Sequence, residues 1–182
     1  MSSSWADDKL YSSKKQDWGT PQALFDRLHE EFNFVLDAAA SEGNHKCAIW
    51  IGEDDNALQI DWRDRSGQSP SLTSQAEAFW SQDPETAAAV WLNPPYGRGI
   101  GNWVRKAYQE SLKGLTVVVL TFARTDTRWW HDWAMRAAEI RLIPGRVTFQ
   151  GADNCAPAPS CLLVFDESLR VPRFTVQELP RK

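Results

Sequence analysis

The fold is decided by the segment Ala88-Ala89-Val90-Trp91-Leu92-Asn93-Pro94-Pro95-Tyr96-Gly97. Its first five residues are apolar and have the length of a buried strand. Two consecutive prolines then end the strand sharply. Ligands of open α/β sheets bind at the carboxyl ends of the strands, so the Asn-Pro-Pro-Tyr motif lies where a binding site is expected.

Helical and strand patterns alternate on both sides of this segment. Thr20 is predicted to cap a first helix, with Pro21 at its first position, where the missing N–H of proline costs nothing. Further helices are predicted at 101–113 and 126–138. The predicted strands lie at 34–37, 47–51, 88–92, 115–123, 139–143, 146–150 and 161–165. This order predicts a compact three-layer α/β sandwich with a mostly parallel sheet and an antiparallel edge hairpin.

The composition is that of one soluble globular domain. The chain has 182 residues, of which 42% are hydrophobic and 24% charged. Residues 1–17 are polar and lack periodicity, which predicts a flexible tail before a single domain over 18–182. Residues 63–87 begin with a stretch rich in Ser, Gln and Pro, which predicts an inserted surface loop.

The sequence also indicates where the protein works. The longest apolar runs are too short to span a membrane, and the polar start predicts that there is no secretory leader. Cys47, Cys155 and Cys161 are scattered and form no CxxC pair, which predicts reduced thiols in a cytoplasmic protein. The three histidines lack metal-ligand spacing, so no metal site is expected.

The formal net charge of −4 is unevenly distributed along the chain. Residues 93–150 contain nine basic and four acidic side chains and carry +5, so the remainder carries −9. Contacts to nucleic-acid phosphates need local positive charge. A basic central segment in an acidic chain is compatible with DNA contact on one face.

The Asn-Pro-Pro-Tyr motif has the chemistry to hold an amino group. Its prolines fix the backbone, so the Asn93 side-chain oxygen and the Pro94 carbonyl become two acceptors in rigid relation, while Tyr96 offers a face for a base to stack on. Accepting both N–H bonds of an exocyclic base amine favours a pyramidal nitrogen with a localised lone pair. Such a nitrogen can attack the sulfonium methyl of S-adenosylmethionine, and catalysis is then mainly positioning and electrostatics.

Five segments carry a resemblance to a known family. They are Trp18-Gly19-Thr20-Pro21 with Leu24-Phe25, Leu36-Asp37-Ala38-Ala39-Ala40-Ser41, Asn93-Pro94-Pro95-Tyr96-Gly97, Ala123-Arg124-Thr125-Asp126-Thr127-Arg128-Trp129-Trp130-His131 and Gly145-Arg146-Val147-Thr148-Phe149. In these segments, from Trp18 to about Phe165, the chain resembles the phage-type DNA N6-adenine methyltransferase (Dam) family. The resemblance implies a Rossmann-like methyltransferase fold, S-adenosylmethionine as the donor and adenine, flipped out of double-stranded DNA, as the acceptor.

The resemblance also implies a set of cofactor-binding residues. Thr20 and Pro21 correspond to a segment that contacts the methionine end of the cofactor, and Asp37 to an acid that faces its amino-acid moiety. The turn after Asp37 departs from the family pattern, because Ala38 and Ala39 stand where a glycine-rich turn is usual. Glu53 or Asp54 is expected to bind the ribose hydroxyls of the cofactor. Asp61 is expected to accept a hydrogen bond from its adenine amino group. Acids after strands are also common as solvated turn residues.

A second set of residues is expected to contact DNA. Arg124 and Arg128 are candidates for phosphate contacts, and Trp129 or Trp130 for the wall of the base pocket, although packing in the core is the usual fate of tryptophan. Phe149 corresponds to a position that supplies an aromatic side chain to the flipped base, and core packing explains it almost as well. The remaining candidates are Arg98 and Arg146.

Three other functions remain open at this point. Methylation of cytosine N4 uses the same chemistry, and protein glutamine methylation also uses an Asn-Pro-Pro-Tyr motif to bind an amide nitrogen. A non-catalytic module that binds DNA or cofactor is compatible with the acidic net charge. Methylation at carbon 5 of cytosine is excluded, because it needs a nucleophilic cysteine and none lies near Asn93.

Overall fold

The structure is a computed structural model that describes residues 18–63, 89–168 and 173–178. Its centre is a seven-stranded sheet with the order β2-β1-β3-β4-β6-β5-β7. The strands are β1 (Phe34–Asp37), β2 (Ile49–Trp50), β3 (Ala89–Leu92), β4 (Thr116–Phe122), β5 (Glu139–Leu142), β6 (Ser160–Phe165) and β7 (Arg173–Val176). Within the described residues, the α-helices are α1 (Gln22–Phe32), α2 (Ile100–Ser111) and α3 (Arg128–Asp132). Short 3-10 helices lie at Glu53–Asp55 and Ala134–Arg136.

The sheet is mostly parallel. The pairs β1–β2, β1–β3, β3–β4 and β5–β7 are parallel, whereas β6 runs antiparallel to both of its neighbours, β4 and β5. Six of the seven strands therefore end at one edge of the sheet, which we call the carboxyl edge; the opposite one is the amino edge. The predicted α/β fold is confirmed, and it agrees with a Rossmann-like methyltransferase.

Helices cover both faces of the sheet and make the three layers. Leu24, Phe25 and Leu28 recur at helical spacing, and α1 buries them against one face beside Trp91 of β3. The other face carries α2 and α3 and buries the alternate residues of the central strands. Because successive residues of a strand point to opposite faces, β3 is apolar along its whole length, and β4 is apolar except at Thr116 and Thr121.

Several predicted elements differ from the observed ones. The helix expected at 126–138 is broken into α3 and the 3-10 helix Ala134–Arg136. Residues 146–150 were expected to form a strand, but they are not part of the sheet. The strand β6 pairs with β5 and not with these residues. Thr20 does not cap α1, because the N-cap position is taken by Pro21. The predicted tail over 1–17 and nearly all of the predicted loop over 63–87 lie outside the described residues.

Three further observations concern ligands and surroundings. Among the helices of the described residues, none is long and apolar enough to cross a membrane. The same part of the chain holds no group of three or more His, Cys, Asp or Glu side chains placed to bind a metal ion. Cys47, Cys155 and Cys161 are all free thiols, with Cys155 exposed.

Candidate active site

The carboxyl ends of β1 and β3 meet near the middle of the sheet. These parallel neighbours place Asp37 opposite Trp91, and the Ala38 N–H donates to the Trp91 carbonyl over 2.9 Å. From β1 the chain continues to β2 on one side, and from β3 it continues to β4 on the other. Ligands of open α/β sheets bind where the strand order reverses in this way, and both Asp37 and Asn93 lie there.

Asn93, the first residue after β3, has a partner at each end of its side-chain amide. Its Nδ2 donates to the backbone carbonyl of Trp18 over 2.5 Å, and its Oδ1 accepts from the Tyr96 hydroxyl over 3.0 Å. Since a carbonyl can only accept, the contact with Trp18 fixes which end of the amide points outward. An amide oxygen has two lone pairs, so Oδ1 can accept from a second donor beside the Tyr96 hydroxyl.

Tyr96 folds back toward β4 instead of extending from the motif. Its ring centroid lies 4.3 Å from that of Phe122 and 5.4 Å from that of Phe149, and its hydroxyl is also 3.2 Å from the Leu120 carbonyl. Burial raises the pKa of Tyr96 well above its ordinary value, so the hydroxyl keeps its proton at neutral pH. Tyr96 therefore acts as a donor that orients Asn93, in addition to the stacking role that was predicted for it.

Residues 18–20 contact Asn93 on one side and the segment around Phe149 on the other. The Trp18 ring lies 5.7 Å from Phe149, and Gly19 forms an antiparallel bridge with Gln150, whose N–H donates to the Gly19 carbonyl over 2.7 Å. A side chain at position 19 would meet Cβ of Gln150 at 3.1 Å, so glycine allows the two backbones to approach. Thr20 is buried, and Pro21 leads directly into α1.

Asp37 lies at the end of β1 and is only 3% exposed. Its Oδ2 accepts the Lys46 N–H over 3.0 Å, and its Oδ1 accepts the Ala39 N–H over 3.4 Å. Burial raises the pKa of Asp37 from 3.8 to about 6, although these two hydrogen bonds lower it. The carboxyl group therefore organises the turn after β1 and still titrates close to neutral pH.

The acids after β2 lie at the same edge of the sheet. Glu53 and Asp54 begin the 3-10 helix that follows β2, and both side chains are exposed. Asp55 instead caps this helix, with its Oδ2 accepting the Gly52 N–H over 3.1 Å. The structure thus leaves Glu53 and Asp54 facing solvent beside the end of β1, where acids for a ribose were expected.

Sequence comparisons agree with this geometry. The family model described as DNA N-6-adenine-methyltransferase (Dam) matches residues 7–70 and 68–181. The chain belongs to the Dam family. It is 29% identical over 137 residues to the DNA N-6-adenine-methyltransferase of Haemophilus phage HP1 (strain HP1c1), covering 72% of this chain and 66% of that protein. It is 28% identical over 132 residues to the protein of the same name from Escherichia phage T1, covering 72% of this chain and 46% of that one. The chain therefore spans just under two thirds of the first relative and less than half of the second.

In this Dam-family chain, Asp61 does not lie with the other predicted cofactor-binding residues at the carboxyl edge. Its Oδ2 accepts from Lys113 over 2.8 Å, and Lys113 follows α2, which starts at the carboxyl edge and ends near the amino edge. Burial raises the pKa of Asp61, but the hydrogen bonds from Lys113 and the Arg63 backbone outweigh it and hold this pKa below its ordinary value. The predicted contact of Asp61 with the cofactor adenine is therefore at odds with its position.

The four predicted DNA-contacting arginines share the carboxyl edge. Arg98 follows β3, Arg124 and Arg128 follow β4, and Arg146 follows β5. Arg98, Arg128 and Arg146 are exposed and Arg124 is half-buried, and Arg128 is ion-paired with Asp132 at 3.2 Å. Arg141, another basic residue of the segment 93–150, is instead ion-paired with Glu31 and Glu139. The four arginines thus share the edge of the sheet at which Asn93 lies.

The predicted aromatic contacts are used mainly in packing. Trp130 is buried in the core, and Trp129 packs so closely on α2 that a side chain at Gly101 would meet its Cβ at 2.8 Å. Phe149 is 2% exposed and forms an aromatic cluster with Trp18, Tyr96 and Phe122. Through the Tyr96 hydroxyl, this cluster contacts the side chain of Asn93.

Two contributors to the site were missed in the sequence. The Trp18 carbonyl, which orients Asn93, carries no side-chain signal, and its partner is 75 residues away in the chain. Lys46 lies beside Asp37 and at the start of α1, although it belongs to a turn that was not predicted to have a role. The spacing of Lys46, three residues before β2, was its only available signal.

Proposed function

We propose that this protein transfers a methyl group from S-adenosylmethionine to the N6 amino group of adenine in double-stranded DNA. The observation that carries the proposal is the side-chain amide of Asn93, which Trp18 and Tyr96 hold with its oxygen available to an amino group. Membership of the Dam family and the names of both phage relatives support adenine as the acceptor.

The side chains at the ends of β1 and β2 fit this methyl donor. Asp37 is a buried acid suited to the ammonium group of the amino-acid end, next to the segment that contains Thr20 and Pro21. Glu53 and Asp54 are exposed acids suited to ribose hydroxyls. When bound, S-adenosylmethionine supplies an electrophilic methyl group on a sulfonium sulfur.

Asn93 and Pro94 activate the acceptor amine by accepting its two N–H bonds. The lone pair of an exocyclic amine is delocalised into the adenine ring, and two acceptors in rigid relation favour the pyramidal nitrogen that localises it. The Tyr96 hydroxyl stays protonated and donates a hydrogen bond to Asn93 Oδ1, so that the amide is already oriented before the base arrives. Preorganised dipoles of this kind cost no reorganisation during the reaction.

DNA binding is assigned to the arginines of the carboxyl edge. Arg98, Arg124, Arg128 and Arg146 follow β3, β4 and β5 and lie at the same edge of the sheet as the motif, so phosphate contacts there would place a flipped base at Asn93. Trp129, which packs on Gly101 of α2, and Phe149, which packs on Tyr96, are the aromatic side chains that we assign to the wall of the base pocket.

The test is incubation of the protein with tritiated S-adenosylmethionine and unmethylated genomic DNA, followed by mass spectrometry of the nucleosides. We expect N6-methyladenine, and none with an Asn93→Ala variant. The appearance of N4-methylcytosine would leave the cofactor assignment standing and overturn the choice of base. Cofactor binding with no DNA methylation would favour a protein substrate or a non-catalytic module.

A further inference from the structure

Lys46 is the centre of a small polar cluster at the carboxyl edge. Its Nζ donates to Oε1 of Gln22 over 2.8 Å and to Oε1 of Gln150 over 3.2 Å. These partners come from the first turn of α1 and from the residue that bridges to Gly19. The cluster therefore joins the turn after β1 to both segments that enclose the site.

The amides of this cluster are oriented toward the lysine. Gln22 Nε2 donates to Asp26 over 2.7 Å, so its oxygen is the end that faces Lys46. An ammonium group has three donors, and within the described residues those of Lys46 reach two neutral amide oxygens. Neutral acceptors hold the cation in place without cancelling its charge.

Burial and neighbouring charges shift the pKa of Lys46 in opposite directions. Burial lowers the pKa of Lys46, although Asp37 and Asp26 raise it by their charges. Asp37 is connected to Lys46 through the backbone N–H at 3.0 Å. A buried acid and a half-buried base thus stand side by side at the end of β1, as a pair of opposite charges that share one turn.

We propose that Lys46, held by Gln22 and Gln150, binds the carboxylate of the cofactor's amino-acid end, while Asp37 faces the ammonium group. This inference rests on the proposed function. The amino-acid end of S-adenosylmethionine carries both charges on a single carbon, so its recognition needs an acid and a base close together. The Asp37–Lys46 turn meets this need, and Thr20 and Pro21 immediately precede Gln22.

Two ligands separate this role from a structural one. S-adenosylhomocysteine has the amino-acid end, whereas 5′-methylthioadenosine lacks it and keeps the adenosine and the sulfur. We expect Lys46→Met to weaken S-adenosylhomocysteine at least about tenfold, as the loss of a charged hydrogen bond does, and to leave 5′-methylthioadenosine unchanged in calorimetric titrations. Lys46→Arg, which keeps the charge, should retain most of the affinity for S-adenosylhomocysteine.

Lys113→Met is the matched control, because it is the same substitution near the amino edge. It should bind both ligands as the wild-type protein does. Equal affinity of Lys46→Met and wild type for S-adenosylhomocysteine would overturn the inference about Lys46 and leave the proposed function standing. An equal loss of affinity for both ligands would have the same meaning. Failure of the wild-type protein to bind either ligand would overturn the proposed function as well.

Discussion

Buried acids lie near both edges of the sheet, and their charges are balanced in different ways. Glu110 of α2 is fully buried and ion-paired with Lys106 at 2.5 Å and Lys113 at 2.9 Å. Asp37 at the carboxyl edge is almost as buried, but within the described residues its carboxylate accepts from the backbone N–H groups of Ala39 and Lys46. The charge of Glu110 is therefore balanced by two lysines, whereas Asp37 forms no ion pair within 4 Å among the described residues.

This difference is the one expected between a structural acid, Glu110, and the binding acid that we propose at Asp37. The network of Glu110 also includes the Trp62 N–H at 3.4 Å, and Lys106 donates to the Ile60 carbonyl, so it attaches the segment 60–62 to α2. Asp37 instead has a pKa raised to about 6, because burial there is not offset by an ion pair within 4 Å among the described residues. Perturbed titration in a crevice is typical of functional residues.

The largest effect is expected from Glu110→Ala. The substitution leaves the buried charge of Lys106 and the partly exposed charge of Lys113 without their shared partner, and breaking a buried pair in this way costs about 3–5 kcal/mol of unfolding free energy. Urea denaturation measures it. The affinity for S-adenosylhomocysteine below the unfolding transition should stay at the wild-type value. Unchanged stability together with a lost affinity would show that Glu110 serves binding and not structure.

Asp37→Asn should have the opposite pattern. We expect affinity for S-adenosylhomocysteine to fall about ten- to a hundredfold, because a charged hydrogen bond to the ligand ammonium is lost. Binding of 5′-methylthioadenosine, which has no ammonium, serves as the control and should be retained in the same calorimetric series. An affinity that is weakened equally for the two ligands would assign Asp37 to the structure of the turn.

The pH dependence sharpens the comparison further. Since the pKa of Asp37 is about 6, the carboxyl is protonated at lower pH, and binding of the ammonium must expel that proton. Affinity for S-adenosylhomocysteine should fall about tenfold per unit below pH 6 and stay level above it. For folding the sign is reversed: the raised pKa contributes stability that is present below pH 4 and lost as the pH rises through about 6.

Calorimetry from pH 5 to 7.5, in buffers of different ionisation enthalpy, measures both the affinity and the proton release. Asp37→Asn is the control and should abolish the release. A flat affinity profile in the wild-type protein would show that Asp37 is not the group that meets the ligand.

The smallest effect is expected from Asp61→Asn. The ion pair of Asp61 with Lys113 is about one third exposed, so its loss should cost less than about 1 kcal/mol of unfolding free energy. Because Asp61 lies away from the carboxyl edge, cofactor affinity should not change. A tenfold loss of affinity for 5′-methylthioadenosine, which carries the adenine, would restore the role predicted from the sequence.

Local features of the site could be predicted from the sequence, and long-range ones could not. The position of Asn93 follows from an apolar strand that ends at two prolines, and the position of Asp37 follows from the end of the first strand, β1. The sequence does not show whether an acid that follows a strand lies at the carboxyl edge or near the amino edge of the sheet. The position of Asp61 is set by Lys113, a contact across 52 residues.

The misassigned elements have similar causes. Val147 and Phe149 are buried in alternation, which imitates a strand, yet the regular pairing partner of β6 is β5. The edge strand β7 was not predicted, because Phe174 and Val176 are exposed and its pairing depends on β5. In each case, backbone pairing at a distance determined the element, and residue pattern alone does not encode it.

The central claim is that Asn93 faces the acceptor amine while the cofactor is held by the turn after β1. Its most direct test is one preparation of Asn93→Ala, measured for both S-adenosylhomocysteine affinity by calorimetry and methyl transfer to unmethylated DNA. We predict an affinity within about twofold of wild type, together with transfer reduced by at least about a hundredfold, as for loss of a preorganised dipole. Transfer close to the wild-type rate, or a loss of cofactor affinity in a folded variant, would contradict the claim.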